Sequence, residues 1–479
     1  MALTGRTIAA NTLVYSMALT VQKALSFIYF SFLARSLGAD QTGKYFFALS
    51  LGGIVAGLLD IGLTPVLTRE VAKDTTRAGM IASQIVTLKL IILGIVGVAA
   101  WIFVPYAFPE TLTRHLVILG IVIAAMDSFA LTFYAVIRAH QNLLYESASA
   151  IGFYIIVIAL GGIAIWQRMD LRVIISVLLI AGTANMLFAW LILRKRLQVR
   201  LGILWNATLL RSIGRAALPF AVAAVFLKIY AYSDTVMIKF FIHDAAVGWY
   251  SIPYKLTFAF QFIPLAFVAA LYPAFSYYWK HSKEELSAHF VRSSTYLLLI
   301  GLPIAGGIAA LAPDLITTIY TDAYAPSIVP LMILICSLPL LFLNFPIGSM
   351  LNACDRQTRQ MTHLGITTVF NVAMNVVLIP RYGVVGAAVA STVSTVFIFI
   401  LGVYAIQRVI GISLSAFFAE ASKLAASAVL MVAALVMLNR YLPWYMTIVP
   451  AGLIYAGGVY ALRVVTLRDI LSFVTLLKR

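Results

Sequence analysis

Hydrophobic residues occupy most of the chain in long continuous runs that are separated by short polar connections. We predict about fourteen membrane spans, with edges good to a few residues, at 8–34, 45–67, 80–104, 113–137, 146–166, 171–193, 214–238, 247–272, 293–312, 327–350, 361–379, 383–406, 417–438 and 445–463. Most of these runs are close in length to what a helix needs to cross a bilayer, which is about 20 apolar residues. Because the runs are continuous rather than alternating, they indicate helices and not the strands of an outer-membrane barrel.

The composition agrees with this pattern. Of the 479 residues, 62% are hydrophobic and only 11% are charged, whereas a soluble domain has about 25% charged residues. The predicted fold class is therefore an all-α polytopic membrane protein. No signal peptide is recognised at 1–11, so the first span is expected to act as its own insertion signal. The cysteines Cys336 and Cys354 indicate neither a disulfide framework nor a metal site, and without a GxxxxGK[ST] loop we expect no nucleotide cofactor.

The net charge of +17 follows from an uneven distribution of lysine and arginine among the connections. Connections on one side of the predicted membrane carry twenty-two of the 34 basic residues, and those on the other side carry eight. Cytoplasmic loops are the basic ones in membrane proteins. We therefore predict a multi-pass protein of the cytoplasmic (inner) membrane with both termini in the cytoplasm, and the charge requires no nucleic-acid partner.

The remaining four basic residues lie inside predicted spans, where a charge costs about 2.5–3.5 kcal/mol on insertion scales. Two acidic residues also lie inside spans, and a third lies near the cytoplasmic end of the second span. The basic residues are Lys23, Lys89, Lys228 and Lys255, the acidic residues are Asp127 and Asp234, and the residue near the span end is Asp60. Residues that are kept at such a cost are candidates for function.

An internal repeat relates the two halves of the chain. Residues 8–60 align without gaps on residues 213–265 at a constant offset of 205, and Lys23 then meets Lys228. Both copies keep the order of a basic span, a short external loop, a Gly-x-Tyr sequence and a second span. Six spans separate the copies, so they share one orientation and form a parallel repeat about an axis along the membrane normal.

The repeat predicts the domains and the position of a cavity. The predicted domains are an N-terminal six-helix lobe, a C-terminal six-helix lobe and two appended helices, at 1–205, 206–410 and 411–479. The two-fold relation is expected to bring Lys23 and Lys228 to equal depth on opposite walls of the interface between lobes, where transporter sites lie. Two lysines that face one water-filled cavity would attract an anion.

Three lysines are the main candidates for anion binding. Lys23 and Lys228 each lie fifteen residues into their runs, or about 23 Å along the helix axis, so neither reaches an interface easily. The alternative for both is a structural pair with a buried carboxylate. Lys255 follows the second copy of the repeat into the cavity-lining spans, although it lies close enough to a span end to reach water.

The polar residues Gln22, Asn371 and Asn375 are candidates for hydrogen bonds to a sugar. Asn371 and Asn375 are four residues apart and therefore lie on one helix face. The alternative for all three is contact between helices, which is the more common role of such residues in a membrane.

Asp127, Asp234 and Lys89 are candidates for ion coupling or charge pairing. Asp127 would be structural if it paired with Lys23 or Lys89, and a free aspartate there would carry a proton or a sodium ion. Asp234 could neutralise a lysine, carry a coupling proton or contact water near Lys239. Lys89 lies about nine residues inside the third span, from where it could also reach the interface.

Several stretches resemble polysaccharide flippases. They are ARSLGADQTGKYFFALSL (34–51), LLDIGLTPVLTREVAKD (58–74), KIYAYSDTVMI (228–238), VGWYSIPYKL (247–256), FIPLAFVAALYPAFS (262–276) and NVAMNVVLIPRYGVVGAAVAST (371–392). The last is the most characteristic, with an Asn-rich span, an IP-x-YG turn and a GAA start to the next span. The chain is thus similar to O-antigen-type lipid-linked oligosaccharide flippases of the multidrug/oligosaccharidyl-lipid/polysaccharide exporter superfamily.

The resemblance implies two lobes of six helices around a central cavity, alternating access and no enzymatic chemistry. It implies a polyprenyl-pyrophosphate-linked oligosaccharide as the partner, moved from the cytoplasmic to the outer leaflet, with its tail in membrane lipid. A polymerase and other membrane proteins of the sugar pathway are compatible further partners. Many relatives have an arginine near position 232 or 233, where this chain has Tyr232 and Ser233, so Lys228 is the cation available to replace it.

Two other functions are compatible with a polytopic membrane protein. A drug/cation antiporter of the same superfamily would need an acidic lumen, which the four lysines inside spans oppose. A membrane polymerase of the same sugar pathway would be expected to have a large external loop, and the longest external connections here are about a dozen residues. The appended spans could form a groove for the lipid tail or act as a lipid-facing buttress.

Overall fold

The structure is a computed structural model that describes residues 5–464, and the described part is helical without strands. Its α-helices are α1 (Gly5–Asp60), α2 (Leu63–Lys73), α3 (Ala78–Ala107), α4 (Thr111–Ala139), α5 (Leu144–Trp166), α6 (Leu171–Lys195), α7 (Ala207–Phe241), α8 (Asp244–Ala259), α9 (Phe262–His281), α10 (Lys283–Ala310), α11 (Ala312–Tyr320), α12 (Ile328–Cys336), α13 (Leu338–Ala353), α14 (Gln357–Val409), α15 (Leu414–Leu438) and α16 (Trp444–Ala461). Arg468, Lys478 and Arg479, which entered the charge count, lie outside the described residues.

The two longest helices each contain two predicted spans joined at a glycine. Gly38 interrupts α1 with a φ of 74°, and Gly383 interrupts α14 with a φ of 60°. Glycine adopts these backbone angles without the steric cost that a Cβ brings. Gly383 belongs to the IP-x-YG turn, so this sequence motif produces the break between the predicted eleventh and twelfth spans.

Eleven segments of the described chain are long and apolar enough to cross a membrane, and α1 and α14 account for two of these. Two other predicted spans, 247–272 and 327–350, are each built from two consecutive helices. The second of these breaks lies before Pro339, which occupies the first turn of α13, a position that tolerates proline because its missing N–H would be unpaired there. The all-α membrane fold predicted from the sequence is confirmed.

The chain divides into two compact units by contact. The first unit is Met1–Ser251 with Leu364–Ala387, and the second unit is Ile252–His363 with Ala388–Arg479. Both α8 and α14 therefore contribute to each unit. The lobes predicted at 1–205 and 206–410 stay a prediction.

Two apolar cores hold the first unit together. One joins both halves of α1 to α4, α5 and α6, and its fully buried members include Leu33, Leu116, Val157 and Ile174. The other joins α2, the start of α3 and the ends of α4 and α6 to the start of α7, with members that include Val66, Ile85, Val136, Leu193 and Ile213. Because α4 contributes to both cores, it is the central helix of this unit.

The connection between α6 and α7, residues 197–206, lies along α3, and we call it the strap. The backbone N–H of Gly202 donates to the Ser83 hydroxyl at 3.0 Å, and that of Leu204 donates to the Thr87 hydroxyl at 3.0 Å. The N–H of Asn206 donates to the side-chain carbonyl of Gln84 at 2.8 Å. In the last five residues of the strap, every second N–H is thus held by a side chain of α3, which fixes where α7 begins.

The second unit is built around α10, which packs against α12, α13 and α15. An apolar core joins α10 to α13, α15 and α16, with members that include Leu298, Leu343, Leu424, Met431 and Tyr455. The Tyr455 hydroxyl donates to the backbone carbonyl of Leu299 at 2.9 Å. The two appended helices are therefore packed firmly against α10, and their role as a groove or a buttress stays a prediction.

Candidate functional site

The two copies of the repeat meet inside the first unit through equivalent positions. A Cβ added to Gly43 would overlap the backbone carbonyl of Asp244, and one added to Gly248 would overlap that of Ala39. At the repeat offset Gly43 is equivalent to Gly248, and Ala39 is equivalent to Asp244. Gly43 thus contacts Asp244, and their equivalents Gly248 and Ala39 contact each other in the same way. Such reciprocal contacts are the pattern that a two-fold axis produces. The repeat read from the sequence is therefore a real symmetry at this contact.

A second pair of equivalent contacts lies deeper in the same helices. In the second copy, the Tyr250 hydroxyl donates to Asp234 Oδ2 at 2.6 Å. In the first copy, the equivalent residues Tyr45 and Tyr29 also interact through their side chains. These two hydroxyls are less well aligned than Tyr250 and Asp234, and the Tyr29 hydroxyl forms no well-directed hydrogen bond in the described part of the chain. The same contact thus holds a carboxylate in one copy and a phenol in the other.

Asp234 lies in a buried polar cluster between α7 and the first half of α14. Its side chain is 2% exposed, and its Oδ1 accepts a hydrogen bond from Asn375 Nδ2 at 2.6 Å. Asn375 Nδ2 is also 3.2 Å from Asn371 Oδ1, which accepts from the Ser233 hydroxyl at 3.1 Å. We call these four residues and Tyr250 the Asp234 cluster. It joins two helices that are far apart in sequence.

The Asp234 cluster contains Asn371 and Asn375, which the sequence offered as candidates for hydrogen bonds to a sugar. Asn371 and Asn375 are fully buried and bond from helix to helix, which is the packing alternative for such residues. Asn375 Oδ1 is nevertheless buried without a hydrogen-bond partner among residues 5–464. Lys239, the possible partner of Asp234, forms its ion pair with Asp244 instead.

Lys89 is paired with Asp60 and not with Asp127. Its ammonium lies 2.9 Å from Asp60 Oδ1, 3.0 Å from the Ser128 carbonyl and 2.9 Å from the Ser128 hydroxyl. The Lys89 side chain is 1% exposed, so it does not reach the membrane interface. Asp60 also accepts a hydrogen bond from the Thr64 hydroxyl. Three acceptors satisfy all three N–H groups of this ammonium, as a buried charge requires.

Lys228 is presented differently from Lys89. The stem of its side chain packs on α1 at Gly57, and the ring of Tyr232 covers Gly53 one turn away. The Lys228 ammonium lies 5.8 Å from the centre of the Tyr232 ring, within the range of a cation–π interaction. The described chain provides it with no hydrogen bond and no ion pair. The half-buried Lys228 amine is therefore held in position with its donors uncommitted.

Two carboxylates on different helices, Asp60 and Asp127, interact electrostatically with Lys228. The stronger electrostatic interaction comes from Asp60 at the end of α1, and the second comes from Asp127 on α4. Asp127 is exposed and lies beside Gly182 of α6. The electrostatic partner of Asp127 is thus Lys228, and no ion pair joins Asp127 to Lys23 or Lys89 in the described residues.

Lys23 lies on the first half of α1 and is exposed. It has no hydrogen bond or ion pair with any residue that the structure describes. Ser26, three residues further on the same helix face, forms a hydrogen bond with Tyr154 of α5, which lies in the field of Asp127. We call Asp60, Asp127, Lys89 and Lys228 the charged cluster. Lys23 stays a predicted site residue outside this cluster.

The remaining candidates stand apart from the charged cluster. Gln22 is half-buried on α1. Lys255 belongs to the second unit, where it is half-buried and engaged with neighbouring groups. The charged cluster of the first unit is therefore built without Lys255.

Sequence reasoning missed Asp60, Tyr232 and Tyr250 as residues that contact the predicted site residues. Asp60 was placed near a span end, but it is the ion-pair partner of Lys89. Tyr232 and Tyr250 contact Lys228 and Asp234. Tyr250 is preserved in both copies of the repeat, so the repeat carried a signal for it. Gly53 and Gly57 on one face of α1 were a weaker signal for the helix that packs there.

Comparisons with known proteins agree on the class of molecule. A family model described as polysaccharide biosynthesis protein matches residues 8–279, more than half of the chain. A similar protein is the probable low-salt glycan biosynthesis flippase Agl15 of Haloferax volcanii, 24% identical over 371 residues that make up 77% of each chain.

Solved structures share the fold. The lipid II flippase MurJ in an inward closed conformation matches with a TM-score of 0.76 at 14% identity, over 96% of this chain and 100% of that chain. An inward-facing multidrug resistance MATE family transporter matches with a TM-score of 0.63 at 16% identity, over 83% and 98% of the two chains. At these identities the likeness establishes a common architecture, and the chemistry of the site is left to the residues themselves.

Proposed function

Because the chain belongs to the polysaccharide biosynthesis protein family, we propose that it is a flippase that moves a lipid-linked glycan precursor across the membrane. The substrate we propose is a polyprenyl-pyrophosphate-linked oligosaccharide, moved from the cytoplasmic to the outer leaflet of the cytoplasmic membrane. The archaeal relative is named as a glycan biosynthesis flippase, which supports this class. The protein makes and breaks no covalent bond, so it is a transporter and not an enzyme.

The observation that carries the proposal is the contrast between the buried Lys89 and the half-buried Lys228. Lys89 has all its donors occupied, whereas Lys228 keeps a charged amine without a hydrogen bond in the described chain. A lysine ammonium is a compact point charge with three donors, which suits contact with a pyrophosphate. Lys228, with Lys23 as a second cation, is therefore the proposed anchor for the phosphates.

The carboxylates explain how such a cation is tolerated before the substrate arrives. An isolated charge inside a membrane protein is costly, and Asp60 and Asp127 offset part of that cost for Lys228 through their fields. Neither forms a direct ion pair with Lys228, so an arriving pyrophosphate has no bond to break. The headgroup then crosses by alternating access while the tail stays in lipid.

We propose that the Asp234 cluster couples transport to an ion gradient. It combines a buried carboxylate with the amide oxygens of Asn371 and Asn375, one of which has no partner among the described residues. Oxygen ligands of this kind suit a proton or a hard cation such as sodium. Binding there would alter the contact between α7, which carries Lys228, and α14.

The decisive experiment measures flipping by purified protein in liposomes. A fluorescent short-chain polyprenyl-pyrophosphate trisaccharide is placed in both leaflets, and its exposure to an external lectin is followed. Lys228→Ala should slow flipping about tenfold to a hundredfold, since hydrogen bonds to charged groups are worth about 1.5–3 kcal/mol. Lys239→Ala is the matched control, because this lysine of the same helix is already paired with Asp244. Wild-type flipping by a Lys23→Ala/Lys228→Ala protein would refute the cationic site.

The second candidate function is a drug/cation antiporter. It is favoured by the likeness to a MATE family transporter and by the exposed carboxylate of Asp127. The same liposomes can be tested for uptake of a fluorescent organic cation against a proton or sodium gradient. Cation uptake that depends on Asp127, together with no flipping of the oligosaccharide lipid, would favour this alternative.

A further inference from the structure

A separate cavity of about 320 Å³ lies in the first unit between α2, the start of α3 and the first turns of α7. It contains no member of the charged cluster or of the Asp234 cluster. Its polar lining consists of Arg69, Glu70, Lys73, Asp74, Arg77 and Ser212. The cavity therefore presents three cations and two carboxylates, which lie on α2 and on the turn that follows it.

The charges in this cavity are not balanced. Lys73 and Arg69 share one oxygen of Glu70, at 2.9 Å and 3.0 Å, and Lys73 foremost holds the pKa of the Glu70 carboxyl below its usual range. Asp74 is used locally, since it accepts the N–H of Thr76 at 3.0 Å and caps the turn that follows. The guanidinium of Arg77 has neither a hydrogen bond nor an ion pair with the residues described here, and it interacts with the Asp74 carboxylate only through the electrostatic field. One guanidinium is thus available to an anion.

The other wall of the cavity is apolar. It is formed by Val66 of α2, Ile81 of α3 and three residues of α7. The residues of α7 are Leu209, Ile213 and Ala216, which lie on one helix face. The short helix α2 is itself amphipathic, because Val66, Leu67 and Val71 are buried whereas Arg69 and Lys73 reach the surface. Helices of this kind lie at the boundary between lipid headgroups and acyl chains. A ligand that fits both walls has an anionic head and an apolar tail.

We propose that this cavity binds the headgroup phosphate of one anionic membrane phospholipid, with Arg77, Lys73 and Arg69 as its cationic contacts. Basic pockets between membrane helices on the cytoplasmic side recognise such headgroups, and these three residues belong to the basic side in the charge distribution. The apolar wall favours a lipid over a free phosphate ion. The site joins α2 to the beginning of α7, so the bound lipid would hold these two elements together.

Native mass spectrometry of the full chain in detergent tests the proposal. The protein is titrated with phosphatidylglycerol and with phosphatidylcholine of the same acyl chains. We expect one phosphatidylglycerol to bind about tenfold more tightly than phosphatidylcholine, and this preference should disappear in Arg69→Gln/Lys73→Gln/Arg77→Gln. Arg77→Gln alone leaves both ion pairs of Glu70 intact, and we expect it to weaken binding about fivefold.

The matched control is Arg194→Gln/Lys195→Gln/Arg196→Gln, which removes three charges from the same predicted side of the membrane but does not line the cavity. This control should keep the lipid preference. An equal loss in the control, or no preference in the wild type, would overturn the proposal. Displacement of the lipid by inorganic phosphate at equal concentration would show that the site takes the free anion. Because the readout is binding, the result is independent of whether the protein flips oligosaccharide lipids.

Discussion

The two copies of the repeat, 8–60 and 213–265, share a reciprocal backbone contact but differ in chemistry. Each contributes one glycine to the reciprocal contact and one tyrosine that faces inward. The second copy has Asp234 where the first has Tyr29, and the first copy has Asp60 where the second has Leu265. Each copy therefore carries a carboxylate that the other lacks.

This difference shows that symmetry of the backbone does not extend to the charges. Asp60 supports the two lysines Lys89 and Lys228 near α1, whereas Asp234 belongs to an amide-rich cluster with α14. Under the proposed function, these two carboxylates would belong to two distinct sites, one for the anionic substrate and one for the coupling ion. The contact between the reciprocal glycines is the same in both copies. Substitutions that restore or remove the symmetry test this interpretation.

The largest effect on stability is expected at the ion pair of the first copy. Lys89→Met should destabilise the protein by about 3 kcal/mol, because it leaves the half-buried Asp60 without its ion-pair partner. Asp60→Leu/Lys89→Met, which introduces the leucine of the second copy, should recover most of that loss because both charges of the pair are removed and Lys228 still has the field of Asp127. Thermal unfolding in detergent measures both. A double variant as unstable as Lys89→Met would contradict this account of the pair.

The next effect compares the two inward-facing tyrosines. Tyr250→Phe removes a hydrogen bond to the Asp234 carboxylate and should cost about 1.5–3 kcal/mol. Tyr45→Phe removes a contact between two neutral hydroxyls and should cost about 1 kcal/mol or less. Unfolding midpoints of the two variants give the comparison directly. Equal losses would show that the carboxylate does not distinguish the copies.

The effect that should be equal in both copies concerns the reciprocal glycines. Gly43→Ala and Gly248→Ala should each destabilise the protein by about 1–3 kcal/mol, since each added methyl meets backbone that cannot move aside freely. Gly94→Ala is the matched control, because its Cβ would have no neighbour within 4 Å. If only one of the two glycines tolerates alanine as well as Gly94 does, the contact is not symmetric.

Much of the fold could be predicted from the sequence because membrane helices leave a strong local signal. Apolar runs gave the helices, and the repeat gave the equivalence of Gly43 and Gly248, although not their contact. The interruptions of two predicted spans lie close to Pro264 and Pro339. Proline ends or kinks a helix, so these residues were a usable signal for both breaks.

The site could be predicted only in part because its contacts are not local. Lys23 and Lys228 stood out by their depth and their equivalence. The pairing of Lys89 with Asp60 joins residues on different helices, and no periodicity in the sequence reports which face of α3 meets α1. The same holds for Asn375 and Asp234, which lie 141 residues apart. Such partners follow from the packing of whole helices.

The strap has a consequence for how the chain can lengthen during evolution. Its N–H groups at positions 202, 204 and 206 face α3, and in an extended segment successive residues face opposite ways. One inserted residue would turn the following N–H groups away from their acceptors, whereas two would restore the alternation. This part of the strap therefore accepts insertions of an even number of residues but not of an odd number. An ordinary surface loop accepts insertions of any length.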